Sequence, residues 1–379
     1  MAYFDNAATT FPKPQEVYDF MNEFYRKSGG NAGRGNSTQA ISSAFLINET
    51  RNLLKKLFHT QTKQIIFTPT ATIALNMIIQ GLIKKGCKNI YISPFEHNAV
   101  TRVLNAFKEQ IKINILKCSK NLDYDFESIK YEFENEKPDL VIVSHASNVT
   151  GFISPVEKIF TLAKKFQAVT VVDMAQTAGL VDLNLEREIF DFAVFAGHKT
   201  LYGPTGISGF AIKKDFDLPP VIFGGTGYES ANQQMPSSIP EKFEMGTINI
   251  SGIAGLNAAL KWAEKIGIEN IKKKEDENRK KLINLLQKYD FVKIIADEKD
   301  KQYVGIVSIL IEGIPSDSAA NIFSDKNISV RTGLQCAPFA HQHLGTFPAG
   351  TIRFSPGYFT SEKDFEELEN CFNYIEENL

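Results

Sequence analysis

The chain has 379 residues, with 42 lysines and arginines against 44 aspartates and glutamates, and 43 % of it is hydrophobic. This near balance excludes a protein that relies on surplus cations facing phosphate, so no nucleic-acid partner is expected. No apolar run of about eighteen residues could span a bilayer, and the opening MAYFDNAATT lacks the basic and apolar regions of a signal peptide, so a cytoplasmic protein without a membrane partner is expected.

From about residue 60 to 215, short β-branched or apolar runs alternate with amphipathic stretches, the pattern of βαβ units in an α/β fold with a mostly parallel sheet. Seven strands are predicted at Ile65–Phe67, Ile90–Ile92, Ile113–Leu116, Leu140–Ser144, Val169–Asp173, Phe192–Phe195 and Gly209–Ile212. Helices are predicted at Thr72–Lys84, Ala99–Phe107, Phe126–Asn135 and Val156–Phe166. In the last, Ile159, Phe160, Leu162, Ala163 and Phe166 recur near the helical period behind Pro155. Phe223–Pro240 is too polar and too rich in Gly, Pro and Ser for the core, and it reads as a long surface loop. Helices are then expected at Ile253–Lys265 and Ile268–Tyr289. Strands at Val292–Ala296, Tyr303–Ile311, Ile328–Arg331 and Thr351–Phe354, with helices at Ser316–Asp325 and Ser361–Glu377, form a smaller α+β unit beyond residue 255.

Five polar clusters fall where predicted strands end, the edge at which open α/β sheets bind ligands. VVDMAQTAG delivers Asp173 and then Gln176. A buried acid there needs a cation or donors to stay ionised, and a protonated cofactor nitrogen would serve, although an acid capping the next turn is an equally open reading. FAGHKTLYGPTG places His198 and Lys199 after a buried strand, where an amine has a depressed pKa and can form a Schiff base. The segment is not a Walker A loop, and no G-x-G-x-x-G opens a helix near the N-terminus, so nucleotide readings lack support. TPTATIALN puts Ala71 and Thr72 at a helix start that can hold a phosphate or can be a plain cap. PFEHNAV supplies His97 and SHASNVTG supplies Asn148, residues that are often structural when taken singly.

In this order, together with YFDNAATT at the start and RTGLQCAP and TIRFSPGYF near the end, the chain resembles fold-type I pyridoxal-phosphate enzymes over nearly its whole length. The resemblance is to the class V aminotransferase group that contains cysteine desulfurases and selenocysteine lyases. It implies a large domain over residues 14–255, and a small domain of residues 1–13 and 256–379 carrying the Cys336 loop and Arg353. It also implies pyridoxal 5'-phosphate held by Lys199, which moves protons at the substrate Cα. Asp173 would face the pyridinium nitrogen, Gln176 the phenolate oxygen and His97 the ring face, where it would also shuttle protons as a catalytic residue. The phosphate would fall to Ala71, Thr72, His198 and Thr247, the last contributed across a homodimer. Arg353 would clamp the substrate carboxylate with help from Asn148, and Arg34 would approach the site. Three positions depart from the family pattern: Thr70 replaces a glycine, Ile73 an acid and Ala196 a serine, and a weaker hold on cofactor is expected.

The cysteines are Cys87, Cys118, Cys336 and Cys371, with no spacing that suggests disulfides or zinc. Three lie in apolar or helical patterns, whereas Cys336 lies in a Gly/Pro-punctuated segment and is the candidate nucleophile. A half-buried loop thiol is the alternative. His341 and His343 lie close by in sequence, but no fourth ligand supports a metal site, and none is expected. The expected activity is conversion of L-cysteine to L-alanine with a persulfide on Cys336 for a sulfur-acceptor protein. Selenocysteine or another C–S lyase substrate remains open, as does a non-catalytic role in sulfur trafficking.

Overall fold

A computed structural model of the chain describes residues 1–31 and 37–379. A two-residue strand β1 (Ala2–Tyr3) precedes helices α1 (Gln15–Ser28) and α2 (Thr38–Leu57). Strands and helices then alternate: β2 (Lys63–Thr68), α3 (Ala71–Lys84), β3 (Asn89–Ile92), α4 (Asn98–Ala106), β4 (Lys112–Ile115), α5 (Phe126–Asn135), β5 (Leu140–Ser144), α6 (Val156–Lys165) and β6 (Val169–Asp173). Strands β7 (Phe192–Ala196) and β8 (Ser208–Lys213) follow with no helix between them, and residues 214–249 contain neither helix nor strand. The remainder comprises α7 (Ile250–Ile266), α8 (Ile268–Leu286), β9 (Val292–Ile294), β10 (Val307–Ile311), α9 (Ser316–Asp325) and β11 (Ile328–Ser329). After these come β12 (Arg331–Gly333), α10 (Pro338–Leu344), β13 (Thr351–Phe354) and α11 (Glu362–Glu377).

Seven strands form one sheet in the order β2-β8-β7-β6-β5-β3-β4, parallel from β7 to β4 and antiparallel only where β8 pairs with its two neighbours. Its central strands are predominantly apolar because both faces are covered. Ile65, Phe67, Val141, Val143, Val172 and Phe195 face one core. Ile66, Leu140, Ile142, Val171, Phe192 and Val194 face the other, the two-residue alternation that a pleated strand imposes. The edge strand β4 is only half covered and begins with Lys112. All the parallel strands therefore deliver their C-terminal ends to one edge.

A second, antiparallel sheet runs β12-β13-β10-β9. Leu282, Leu286, Phe323, Phe354, Phe365 and Phe372 pack its core beneath α8, α9 and α11. Helix α11 starts with a reciprocal cap between Ser361 and Asp364. Strand β1 pairs in parallel with β11, Ala2 opposite Ile328 and Tyr3 opposite Ser329, tying the N-terminal segment to this unit.

Helices α1, α2 and α10 are absent from the sequence reading. Helix α1 buries only Val17, and α2 buries Ser43 and Thr50 beside its apolar residues, so neither shows a clean stripe. Both form by packing on α7. The stretch expected as one strand at Ile328–Arg331 is divided at Val330 between β11 and β12, which belong to different sheets.

Candidate active site

The C-terminal edge of the large sheet gathers the polar clusters. Asp173 ends β6, buried, and its Oδ1 accepts from Ala175 N at 2.9 Å. Burial pushes its carboxyl up, against the pull of that amide and of Lys199. Gln176, also buried, donates from Nε2 to the carbonyl of Ala7 at 2.9 Å. His97 caps α4, its Nδ1 accepting from Ala99 N at 3.0 Å. Burial, then the charges of Lys199 and Arg353, pull the ring down to about 4, so at neutral pH it is uncharged with its proton on Nε2.

Strand β7 runs directly into His198 and Lys199 through Gly197, where a Cβ would lie 2.3 Å from the carbonyl oxygen of Ile207. Only glycine fits that approach. Burial lowers the Lys199 amine to about 8, with Asp173 opposing the shift. Burial and Lys199 hold His198 down at about 4, and its Nδ1 lies 3.1 Å from Thr9 Oγ1. Thr70 caps α3 through its hydroxyl, accepting from Ile73 N at 3.2 Å, so the residue that departs from the family glycine is engaged as a helix cap.

These elements enclose a cavity of about 230 Å³ lined by Ala71, Thr72, His97, Asn148, Asp173, Gln176, His198 and Lys199, among others. It lies just below the range of about 300–1,000 Å³ usual for ligand pockets. A roomier cavity of about 530 Å³, lined by residues of α2 and α7, is largely apolar, and its charged groups include the exposed pairs Lys56–Glu264 and His59–Asp182 rather than buried ones. The smaller one brings together a buried carboxylate, an amine of lowered pKa and a helix N-terminus. A heterocyclic cation carrying an aldehyde and a phosphate matches that donor set.

The family profile of Aminotransferase class-V matches residues 2–368. The chain belongs to the class V aminotransferases. This family depends on pyridoxal phosphate, and the cavity suits it. A relative described as a probable cysteine desulfurase of Pyrococcus abyssi is 32 % identical, the alignment covering 99 % of this chain and 93 % of that protein. Another so described, from Xylella fastidiosa, is 29 % identical over 97 % and 89 %. A solved apo cysteine desulfurase of Thermococcus onnurineus superposes with a TM-score of 0.90 at 29 % identity, covering 100 % of this chain and 95 % of that one. A solved NifS-like protein gives 0.85 at 25 % identity, with full coverage of both chains.

Within this class V scaffold, Arg353 is buried on β13 and bonds the cavity-lining Asn148. Its Nη2 pairs with Asp5 Oδ1 at 2.7 Å, its Nη1 donates to the carbonyl of Asn148 at 2.9 Å, and its Nε has no partner among the described residues. Cys336 is exposed, between β12 and α10, while Cys87 and Cys118 are half-buried and Cys371 is buried. Thr247 is exposed in the irregular segment before α7 and does not line the cavity. Arg34 lies outside the described residues. The two histidines that follow Cys336 are engaged elsewhere, His341 with Thr346 and Gln335, and His343 with the carbonyl of Ser119. Among the described residues, no group of three or more His, Cys, Asp or Glu is placed to hold a metal, and no helix is long and apolar enough to cross a membrane.

Sequence reading missed Asp5, Lys13 and Glu96. Asp5 meets Arg353 across 348 positions of chain. Lys13 donates from Nζ to the carbonyl of His198 at 2.8 Å, and burial lowers it to about 8. Glu96 is fully buried, accepting from both the amide and the hydroxyl of the cavity-lining Ser144, and burial raises it to about 8. Its place beside His97 after an apolar strand is the one signal that could have found it.

Two outcomes are expected from this geometry. Asp5→Ala strands the buried Arg353 charge and lowers unfolding free energy in urea by about 3 kcal/mol, of which Arg353→Leu in the same chain recovers a part. The Lys199 amine captures a carbonyl only when neutral. Cofactor-free protein therefore develops the absorbance of bound pyridoxal phosphate about tenfold faster per pH unit below about 8, with a plateau above it. A rate still climbing at pH 10 would mean an unperturbed amine.

Proposed function

We propose that this protein is a cysteine desulfurase that converts L-cysteine to L-alanine and takes the sulfur onto Cys336 as a persulfide. The observation that carries the reading is the position of Asn148. This cavity-lining residue accepts from Arg353 through its carbonyl and donates from Nδ2 to the carbonyl of Gln335 at 2.6 Å, linking the candidate carboxylate clamp to the turn that bears Cys336. The same turn is tied to the cavity a second time, because Asn98 N, the residue after His97, donates to the carbonyl of Cys336 at 2.7 Å.

Pyridoxal phosphate, when bound, supplies an electron sink for the substrate. Lys199 would hold it, with Asp173 facing its ring nitrogen, Gln176 its phenolate edge, His97 its ring face, and Ala71, Thr72 and His198 its phosphate. The Arg353 guanidinium, helped by Asn148, fixes the substrate carboxylate and so orients the amine toward Lys199. Neutral Lys199 takes the Cα proton. The Cys336 thiolate then attacks the substrate sulfur: an S–S bond forms as the Cβ–S bond breaks, the electron pair of that bond stays with Cβ, and protonation there gives alanine. A sulfur-acceptor protein removes the terminal sulfur from the exposed cysteine. Thr247 would act from one subunit of a homodimer on the phosphate site of the other.

The test is L-cysteine addition to the holoenzyme, with alanine quantified and the Cys336 peptide weighed before and after a thiol reductant. Alanine accompanied by one extra sulfur on Cys336, lost on reduction, is the expected result. Alanine released faster from selenocysteine than from cysteine, with no extra sulfur on Cys336, would move the assignment to a selenocysteine lyase.

A further inference from the structure

Gln335 and Cys336 occupy the left-handed backbone region in succession, with φ of 41° and 58°, and neither is glycine. Such a conformation is costly for a residue with a side chain and persists only where its surroundings over-determine it. Here the surroundings are traceable. The Gln335 side chain is buried and donates from Nε2 to the carbonyl of Thr351 at 2.9 Å, which leaves its Oε1 to accept. His341 Nε2 lies 2.8 Å from that oxygen, and its Nδ1 lies 2.7 Å from Thr346 Oγ1.

Because Gln335 Oε1 must accept, His341 carries its proton on Nε2, and Nδ1 accepts from the Thr346 hydroxyl. The ring is fully buried, with a pKa lowered to about 4 by burial, so it stays neutral in this one tautomer. Both ring nitrogens are thus used, and the chain from Thr346 through His341 to Gln335 ends on the residue that precedes the exposed thiol. A histidine that only filled space would cost its desolvated nitrogens for no gain. The strained turn and the satisfied ring are the two halves of one arrangement.

We propose that His341, acting through Gln335, is a positioning residue that holds the Cys336 turn left-handed and so sets where the thiol is presented. The role rests on the desulfurase reading only in its kinetic consequence, since thiol presentation can be read without substrate.

The experiment measures iodoacetamide alkylation of Cys336, resolved by mass spectrometry of its peptide, together with kcat and KM for alanine formation from L-cysteine by holoenzyme. It compares wild type with His341→Leu, His341→Gln and Gln335→Leu. Loss of the clamp lets the turn relax. His341→Leu and Gln335→Leu are expected to change the alkylation rate by at least about fivefold and to lower kcat by about tenfold, with KM within about twofold and the cofactor absorbance unchanged. His341→Gln, whose amide nitrogen stands where Nε2 does, is expected to recover most of both. Wild-type alkylation and kcat in either folded leucine variant overturn the proposal, as does a glutamine variant no better than leucine. If His341→Leu fails to fold, Gln335→Leu decides alone. If wild type forms no alanine while alkylation still follows the clamp, the positioning role stands and the desulfurase reading fails.

Discussion

Replacing Cys336 with alanine is expected to lower alanine formation from L-cysteine by at least about a hundredfold, the loss of about 2.7 kcal/mol of transition-state stabilisation, while the cofactor absorbance stays as in wild type. The separation follows from the structure. Cys336 is exposed and does not line the cavity, so its loss removes the sulfur acceptor without touching Asp173, Gln176, His198 or Lys199. The turn survives as well, since its bonds to Asn98 and Asn148 use backbone carbonyls and the Gln335 clamp is a neighbour's side chain. Full cysteine turnover in Cys336→Ala would sink the persulfide mechanism and point to direct elimination of the sulfur. Cys87, Cys118 and Cys371 cannot substitute: burial raises the thiols of Cys87 and Cys371 to about 11 and that of Cys118 to about 12, far from the thiolate form at neutral pH.

Lys199→Ala is expected to be the more severe change, lowering alanine formation by about 10³–10⁴-fold, the upper part of the roughly 10²–10⁴ that a positioned acid–base group contributes, because the cofactor anchor is lost with it. It should also shift the absorbance of bound cofactor, because the amine that holds it is gone. No neighbour can take over the proton transfer in the same way. His97 and His198 are both held near 4, so they are weak bases at neutral pH, and Lys13 is committed to the carbonyl of His198. Added methylamine should rescue some turnover in this variant if the missing function is a base, and absence of any rescue together with unaltered absorbance would contradict the assignment.

The large sheet was legible because its strands announce themselves chemically. Leu140–Ser144 and Val169–Asp173 run apolar to a polar last residue, and their ends in the structure are those expected. The candidate site was legible to the extent that its groups sit at such ends: Asp173, Lys199 and His97 each follow a buried strand. The supporting groups were not. Asp5 and Arg353 are far apart in the chain and meet only through the pairing of β1 with β11 and the short bridge of Asp5 with Ser355. The Cys336 turn was equally hidden, because no local rule predicts two consecutive non-glycine residues at positive φ. Only the tertiary clamp of Gln335 and His341 makes that conformation affordable. Helices α1 and α2 escaped because their partner, α7, lies some two hundred residues onward, roughly the span from Glu49 to its bonded partner Asn257.

The segment from Asp5 to Thr10 touches nearly every group that matters: Asp5 holds Arg353, Ala7 accepts from Gln176, and Thr9 and Thr10 bond His198 and the carbonyl of Lys199. A ribosome releases this segment before any of those partners exists, and Arg353 is among the last of them to emerge. The emerging polypeptide must therefore keep residues 5–10 uncommitted through the synthesis of more than three hundred further residues, and Asp5 can pair only once Arg353 has emerged. A chain made only as far as Lys199 therefore holds the amine without the arginine that the N-terminal segment grips, and the two ends of the site reach each other late.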